Sequence, residues 1–387
     1  MKRRARRGGT AMRTAALMSV LLLLAACAGG EESGETTEAG TADVATPDAT
    51  SDAEATAEAT DPEATEPGGE TPEGSSALEG ETIEFVVPYD PGGGYDQYVR
   101  LAQPFLADCT GADVVVLNEP GAGGLLATNQ TAVASPDSLR IQILNTIGAA
   151  GAQIAQAEGV QFDLRELSWI ARVAGEPNVL SVGANSPYQD VQAMIDAGQP
   201  VRFVATGPGS SEYIGATVLS EVYGFEAEII TGFAGSGEAI AAIAAGDADA
   251  IVLSLDSSLP SIESGDLVPL ALVAPEGSQN ETLPEVGTVY DAGPVDPAQQ
   301  EVLDAYVARV ETARSVAGPP EVPEEQLTAL RDGLTCALED EEFQTLAEEA
   351  GRPVSPLTGE EIAEVVATAL DSPDTFQELV RESFASG

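Results

Sequence analysis

IEFVVPYDPGGGYDQYVR, residues 83–100, decides how the chain is read: a β-branched run, a turn containing three consecutive glycines, then a helical pattern with Tyr98, Leu101 and Phe105 at spacings of three and four. Pro88 and Pro91 hold the turn out of helical geometry, and the glycines let main chain approach a ligand closely. A strand-to-helix turn of this kind points backbone N–H groups outward, where they hold a small anion without a basic side chain. Pro104 falls inside the following helix and is expected to kink or interrupt it.

The same pattern repeats along the chain. ADVVVLN (112–118) leads through NEPGAGG (118–124) into LLATNQTAVA (125–134), and LRIQILN (139–145) follows. This order is βαβαβ, which requires parallel strands and gathers the loops after them at one sheet edge. A second block starts near 185. SPYQDVQAMIDAG reads as a helix, VRFVATG (201–207) as a strand, and SEYIGATVLSEVYG as a helix. AEIITGF (227–233) and AIVLSLD (250–256) read as strands on either side of the helix GEAIAAIAAGDAD. Two α/β lobes with ligand loops facing each other satisfy that order. The C-terminal part is read as almost all helix, at 297–316, 324–337, 341–350 and 359–369, covering a sheet face rather than making a third domain.

Charge and composition set the address. Six of the 16 Lys and Arg residues precede Cys27; the rest are arginines, set against 64 acidic residues that all lie beyond Cys27. Nucleic acid is excluded as a partner, because its binding starts from phosphate neutralisation. A saline habitat and a biased proteome both account for the acidity. The basic start, the apolar run Ala15–Ala26 broken by Ser19, and Cys27 form the layout of an export signal, and the apolar run is too short to span a bilayer. Leu24-Ala25-Ala26-Cys27 resembles the lipobox of bacterial lipoproteins, which implies lipidation at Cys27; plain secretion is the alternative. Residues 28–81 form an acidic tether with almost no large aliphatics and are expected to be disordered. Cys109 and Cys336 are the cysteines of the folded part; after export they pair or remain buried thiols.

The chain has no histidine and no G-x-S-x-G elbow, which removes His-dependent nucleophile systems and histidine metal ligands. A catalytic carboxylate pair drawn from Asp90, Asp96 and Asp256 would repel the acids that amide-lined loops attract. NEPGAGG is neither a Walker loop nor a dinucleotide fingerprint. Thr206-Gly207-Pro208-Gly209-Ser210-Ser211 and Gly232-Phe233-Ala234-Gly235-Ser236-Gly237 add hydroxyls and amides, with Ser210 or Ser211 also readable as a helix N-cap.

VVPYDPGGGYDQYVR, NEPGAGG, ASPDS (134–138), ATGPGSS, GFAGSGEAIAAIAAGDADA and LPSIESGDLVPLAL (259–272), in this order over about residues 83–368, resemble the solute-binding proteins of the tripartite tricarboxylate transporter family. The resemblance implies an α/β, two-lobed periplasmic-binding-protein fold of the second type, a flytrap with its ligand cleft between lobes. Lobe 1 is placed at 82–184 and 273–387 and lobe 2 at 185–272. It implies no enzyme activity, no cofactor and no metal. The expected ligand is a small organic acid (a di- or tricarboxylate, an acidic amino acid or an aromatic acid), delivered by a monomeric lipoprotein to membrane transporter subunits. A sensory lipoprotein of the same fold and a cell-surface enzyme are the alternatives.

By position, the resemblance implies pocket residues Tyr89, Gly92, Gly93, Gly94 and Asp96 in the first loop and Gly121, Ala122, Gly123 and Gly124 in the second. Thr206, Gly209 and Ser210 belong to the third, Gly235 and Ser236 to the fourth, and Asp256 follows the next strand. Where the family usually has Pro-Tyr-Lys-Gly, this chain has Gly232-Phe233-Ala234-Gly235, losing a basic and a phenolic group. That departure points toward a less highly charged solute than citrate.

Overall fold

A computed structural model describes residues 77–386, Glu176 excepted. The signal, Cys27 and most of the tether lie outside the described residues. The first elements are β1 (Thr82–Val87), α1 (Gly94–Thr110), β2 (Asp113–Asn118), α2 (Leu125–Ala132), β3 (Arg140–Leu144), α3 (Thr146–Ala155) and β4 (Leu167–Arg172). Then come β5 (Asn178–Gly183), α4 (Val191–Ile195), β6 (Val201–Ala205), α5 (Ser211–Tyr223), β7 (Ala227–Thr231), α6 (Ser236–Ala245), β8 (Ala250–Ser254), α7 (Leu255–Glu263) and β9 (Leu267–Val273). The chain ends with α8 (Pro297–Val307), β10 (Ser315–Pro320), α9 (Glu324–Glu339), α10 (Glu341–Glu349), β11 (Leu357–Thr358), α11 (Gly359–Leu370) and α12 (Asp374–Ser386).

These strands form two mixed sheets, ordered β11-β4-β10-β3-β1-β2 and β7-β6-β8-β5-β9. β1 pairs in parallel with β2 and β3, as the βαβαβ reading requires. In the second sheet β6 is parallel to β7 and β8, while β5 runs antiparallel to β8 and β9. The loops that follow the parallel strands therefore collect at the carboxyl edge of each sheet, where α/β folds place their ligands. This is the two-domain α/β architecture of a flytrap binding protein.

Three local readings are corrected. SVAGPP is not part of a helix: β10 lies inside the first sheet, antiparallel to both β3 and β4. Its Gly318, Pro319 and Pro320 would break a helix, and the register shifts against β4 at Val316/Ala317 and Gly318/Pro320. The helix read at 186–198 contracts to α4, started by an Asp190 side chain that accepts from Ala193 N–H at 2.7 Å. Pro104 does not interrupt α1, whose buried face of Tyr98, Val99, Ala102 and Leu106 packs beside α9. The chain also enters the second sheet at β5, earlier than the 185 boundary read from the sequence.

A Cys109–Cys336 disulfide joins α1 to α9 across a separation of 227 residues. The C-terminal helices divide their work: α9 and α11 pack on β4, whereas α8 and α12 pack against α5 and α3.

Candidate functional site

The first glycine loop is held from beneath. Asp96, in the first turn of α1 and 2% exposed, accepts from Gly92 N–H at 2.8 Å, from Arg100 Nε at 2.8 Å and from Asn118 Nδ2 at 2.9 Å. Asn118 also donates to the Tyr89 carbonyl at 2.9 Å, tying the ends of β1 and β2 together. Burial works against the Asp96 carboxylate, but Arg100, Gly92 N–H and Asn118 outweigh it and hold the group below its ordinary value. Asp96 therefore shapes the loop, with its oxygens committed to protein donors. Gln97 completes the clamp by donating to the Gly92 carbonyl at 2.8 Å.

From Gln97 a chain of charges runs into the junction between the sheets. Arg352, just beyond α10, donates through Nε and Nη2 to Gln97 Oε1 at 2.9 and 2.8 Å, and its Nη1 lies 3.1 Å from Asp256 Oδ2. Arg314, at the entry to β10, donates through Nη2 to Asp256 Oδ1 and, at 2.8 Å, to Ser254 Oγ. The Asp256 side chain is 0% exposed, those of Arg314 and Arg352 1% and 5%. The Arg314 guanidinium stands 4.7 Å from the ring centres of both Tyr95 and Tyr98. Asp256 follows a strand of the second sheet, and both arginines flank elements of the first. Asp256 is thus a bridge between the lobes rather than a group open to solute. The cation that the sequence did not place near the loops is supplied from 58 residues farther along the chain.

The glycines of the second and third loops let the two sheets' edges meet. Gly123 has φ +69°, and a Cβ there would lie 2.7 Å from Ser210 N. Gly209 N–H donates to the Ala122 carbonyl at 3.3 Å. Gly148, in α3, faces Gly209 so closely that a Cβ would fall 2.1 Å from its carbonyl oxygen. Ser210 caps α5 by accepting from Tyr213 N–H at 3.2 Å. On the other flank, Asp90 N–H donates to the Ala234 carbonyl at 3.3 Å, bringing the first loop to Gly235 and Ser236 of the fourth.

Between these contacts is a cavity of about 20 Å³, the space of roughly one water molecule. The loops are closed down on one another, and anything larger than water enters only if they part. Of the residues expected from the sequence, Tyr89, Gly93, Gly94 and Ser236 line it. Gly92 and Asp96 build the loop beneath, Gly121, Ala122, Gly123, Gly124, Gly209 and Ser210 shape the loops beside it, and Asp256 lies behind.

The lining also contains Ser211, one of the third-loop hydroxyls read from the sequence, and Tyr95, Asn145, Glu212, Leu253, Ser254 and Ser257, which were not among the expected pocket residues. The one signal for Asn145 and Glu212 was position: each starts a helix directly after a strand or glycine loop. Asn145 Nδ2 donates to Tyr89 Oη at 2.7 Å and to Ser211 Oγ at 3.3 Å, linking the lobes, and Tyr89 Oη donates to the Gly123 carbonyl at 3.1 Å. Burial, then the nearby Glu212 and Tyr95, push the Tyr89 phenol far up, with Asn145 and the Thr206 hydroxyl opposing. Tyr89 is therefore a neutral donor throughout the physiological range.

Larger hollows exist elsewhere. One of about 920 Å³ lies between α5, β7, α8 and α12 and is lined by Glu221, Glu378 and Glu382 without a basic residue; another of about 680 Å³ adjoins α11. Size does not select the site. The glycine loops from both sheets converge on the small cavity, whereas neither larger hollow is reached by more than one of them. Among the described residues no cluster suited to a metal ion occurs, and no helix is long and apolar enough to cross a membrane.

Comparison with known proteins follows the same lines. The family model described as "Tripartite tricarboxylate transporter family receptor" matches residues 98–366. A protein from the tcbD-tcbE intergenic region of Pseudomonas sp. (strain P51) is 26% identical over 214 residues, 54% of this chain and 62% of that relative. BugT of Bordetella pertussis is 26% identical over 216 residues, 54% of this chain and 65% of BugT. The matches thus span slightly under two thirds of those curated relatives. Among solved structures, periplasmic binding protein BugD superposes with a TM-score of 0.65 at 19% identity, over 78% of this chain and 97% of BugD. MatC from Rhodopseudomonas palustris, with bound malate, gives 0.65 at 20%, over 78% of this chain and 99% of MatC. A second R. palustris protein, with adipate, gives 0.63 at 20%, over 79% and 97%.

Proposed function

Because this chain belongs to the tripartite tricarboxylate transporter receptor family, we propose that it captures a small organic carboxylate outside the cytoplasm and delivers it to the membrane subunits of such a transporter. The observation that carries this reading is the convergence of Tyr89, Gly93 and Gly94 from the first sheet and Ser211, Ser236 and Ser254 from the second on one buried cavity, with Arg314 behind it. Backbone amides and hydroxyls there offer donors from two directions, and a carboxylate placed between them is bonded by both lobes only when they close. Binding selects the closed form through those additional contacts. The malate bound to MatC and the adipate bound to the second R. palustris protein support the ligand class.

In this reading Cys27 carries the lipid, residues 28–81 tether the domain to the membrane, and the receptor acts as a monomer. Lobe 1 takes in the first sheet with α9–α11 and lobe 2 the second. The test is a calorimetric titration of the mature chain with malate, adipate, benzoate and citrate. One saturable micromolar isotherm is expected; flat traces for all four would refute the reading.

A further inference from the structure

Glu212 is a carboxyl group inside a cleft built for carboxylates. It sits in the first turn of α5, is 3% exposed and lines the cavity. None of the ion pairs among the described residues includes it, since Arg314 is engaged with Asp256 and Arg352 with Asp256 and Gln97. Its neighbours are hydroxyls: Ser211 Oγ lies 3.4 Å from Glu212 Oε2. The titratable and charged groups that face it are Tyr89 from the first loop, Tyr95 from α1, Tyr306 from α8 and Arg314 from the entry to β10; Asp256 at the start of α7 is reached through Tyr95 and Arg314.

If Glu212 is ionised, an incoming carboxylate meets a like charge in a low-dielectric space, where close carboxylates cannot both ionise. As a neutral acid Glu212 instead offers that carboxylate a hydrogen-bond donor.

We propose that Glu212 is a specificity-determining residue which holds a proton while the solute carboxylate is bound, so that each capture event takes up one proton and the cleft prefers solutes carrying a single negative charge. The inference rests on the carboxylate-binding reading above and names its solute class: monocarboxylates and the singly protonated form of dicarboxylates. The proton resides on Glu212 Oε, which donates to the solute carboxylate, while the solute's other oxygen accepts from backbone or hydroxyl donors of the first loop. No bond to carbon changes, and the proton comes from solvent.

Two further observations agree. Burial pushes the Glu212 carboxyl above its ordinary value, although its own N–H, Ser210, Ser211 and Arg314 oppose the shift. The fourth loop, Gly232-Phe233-Ala234-Gly235, brings no cation that would welcome a second carboxylate.

The test is titration of the full mature chain with benzoate, adipate, malate and citrate between pH 5 and pH 8.5, in phosphate and in Tris, whose ionisation heats differ. For the probe that binds most tightly, proton uptake approaching one per site is expected on the alkaline side, with affinity falling about tenfold per pH unit there. Glu212→Gln, which mimics the neutral acid, removes both the uptake and the pH slope and equals or exceeds wild-type affinity at pH 8. Its melting temperature should exceed wild type at pH 8 by more than at pH 5, a readout that also shows the variant is folded. Binding without proton uptake, or a pH slope unchanged in Glu212→Gln, would overturn this proposal alone. Affinity at least tenfold weaker in Glu212→Gln would show an ionised Glu212 meeting a cationic group and would overturn it too. Absence of binding by every probe would overturn the carboxylate reading and this one together.

Discussion

Replacing Asp256 by Asn tests the charge bridge between the lobes. The side chains of Asp256, Arg314 and Arg352 are all at least nine-tenths buried, so solvent does little to screen the change. Asparagine keeps the shape but leaves two guanidiniums facing a neutral amide. Breaking a buried ion pair from one side costs about 3–5 kcal/mol, because the remaining charge stays desolvated. For a folded unit of about 310 residues, an unfolding entropy of about 2.1 cal/mol/K per residue sums to roughly 0.65 kcal/mol/K. The expected loss in melting temperature is therefore about 5–8 °C. Differential scanning calorimetry at pH 7 reads it, and Arg352→Gln, which leaves the Arg314–Asp256 pair intact, should lose less. A melting temperature for Asp256→Asn within about 1 °C of wild type would refute the reasoning, since it would mean that the arginines are stabilised without their shared carboxylate.

Three further outcomes follow from the same geometry. Gly148→Ala improves helix propensity in α3 by about 1 kcal/mol but places a methyl 2.1 Å from the Gly209 carbonyl oxygen, a backbone clash worth about 1–3 kcal/mol, so solute affinity should fall at least about tenfold and the melting temperature should fall as well; undiminished affinity would show that the loops need not meet. Because Asp96 is held below its ordinary value, its contribution is present above about pH 4 and lost as pH falls through the lowered value. Asp96→Asn should thus cost about 1–2 kcal/mol at pH 7 and progressively less below pH 4 in urea titrations, and a constant difference would contradict the assignment. Replacing Cys109 and Cys336 by Ser should cost about 2–4 kcal/mol, and in the unfolded, unreduced wild-type chain neither residue should react with a thiol reagent.

What the sequence by itself determined was local. The alternation of β-branched runs, glycine turns and helical spacings identified β1 to β3 with their parallel order, β6 to β8, and four loops at strand ends, because each signal is carried by neighbouring residues. Gly93 and Gly94 were found that way, whereas Tyr89 and Ser236 were expected as pocket residues only from the family resemblance. The loops that bring glycines against each other were found too, but as ligand contacts, because flexible backbone reads the same whether a solute or the opposite lobe approaches it. Tertiary structure alone decided the rest. SVAGPP reads poorly as a strand and gains its backbone partners only from β3 and β4, and Glu212 is distinguished from the many other acidic residues only by the cavity it lines. Arg314 and Arg352 are paired with Asp256 by folding, not by spacing. Charges far apart in the chain acquire their partners only when a low-dielectric junction encloses them, and the energy of that enclosure depends on distances that no linear pattern encodes.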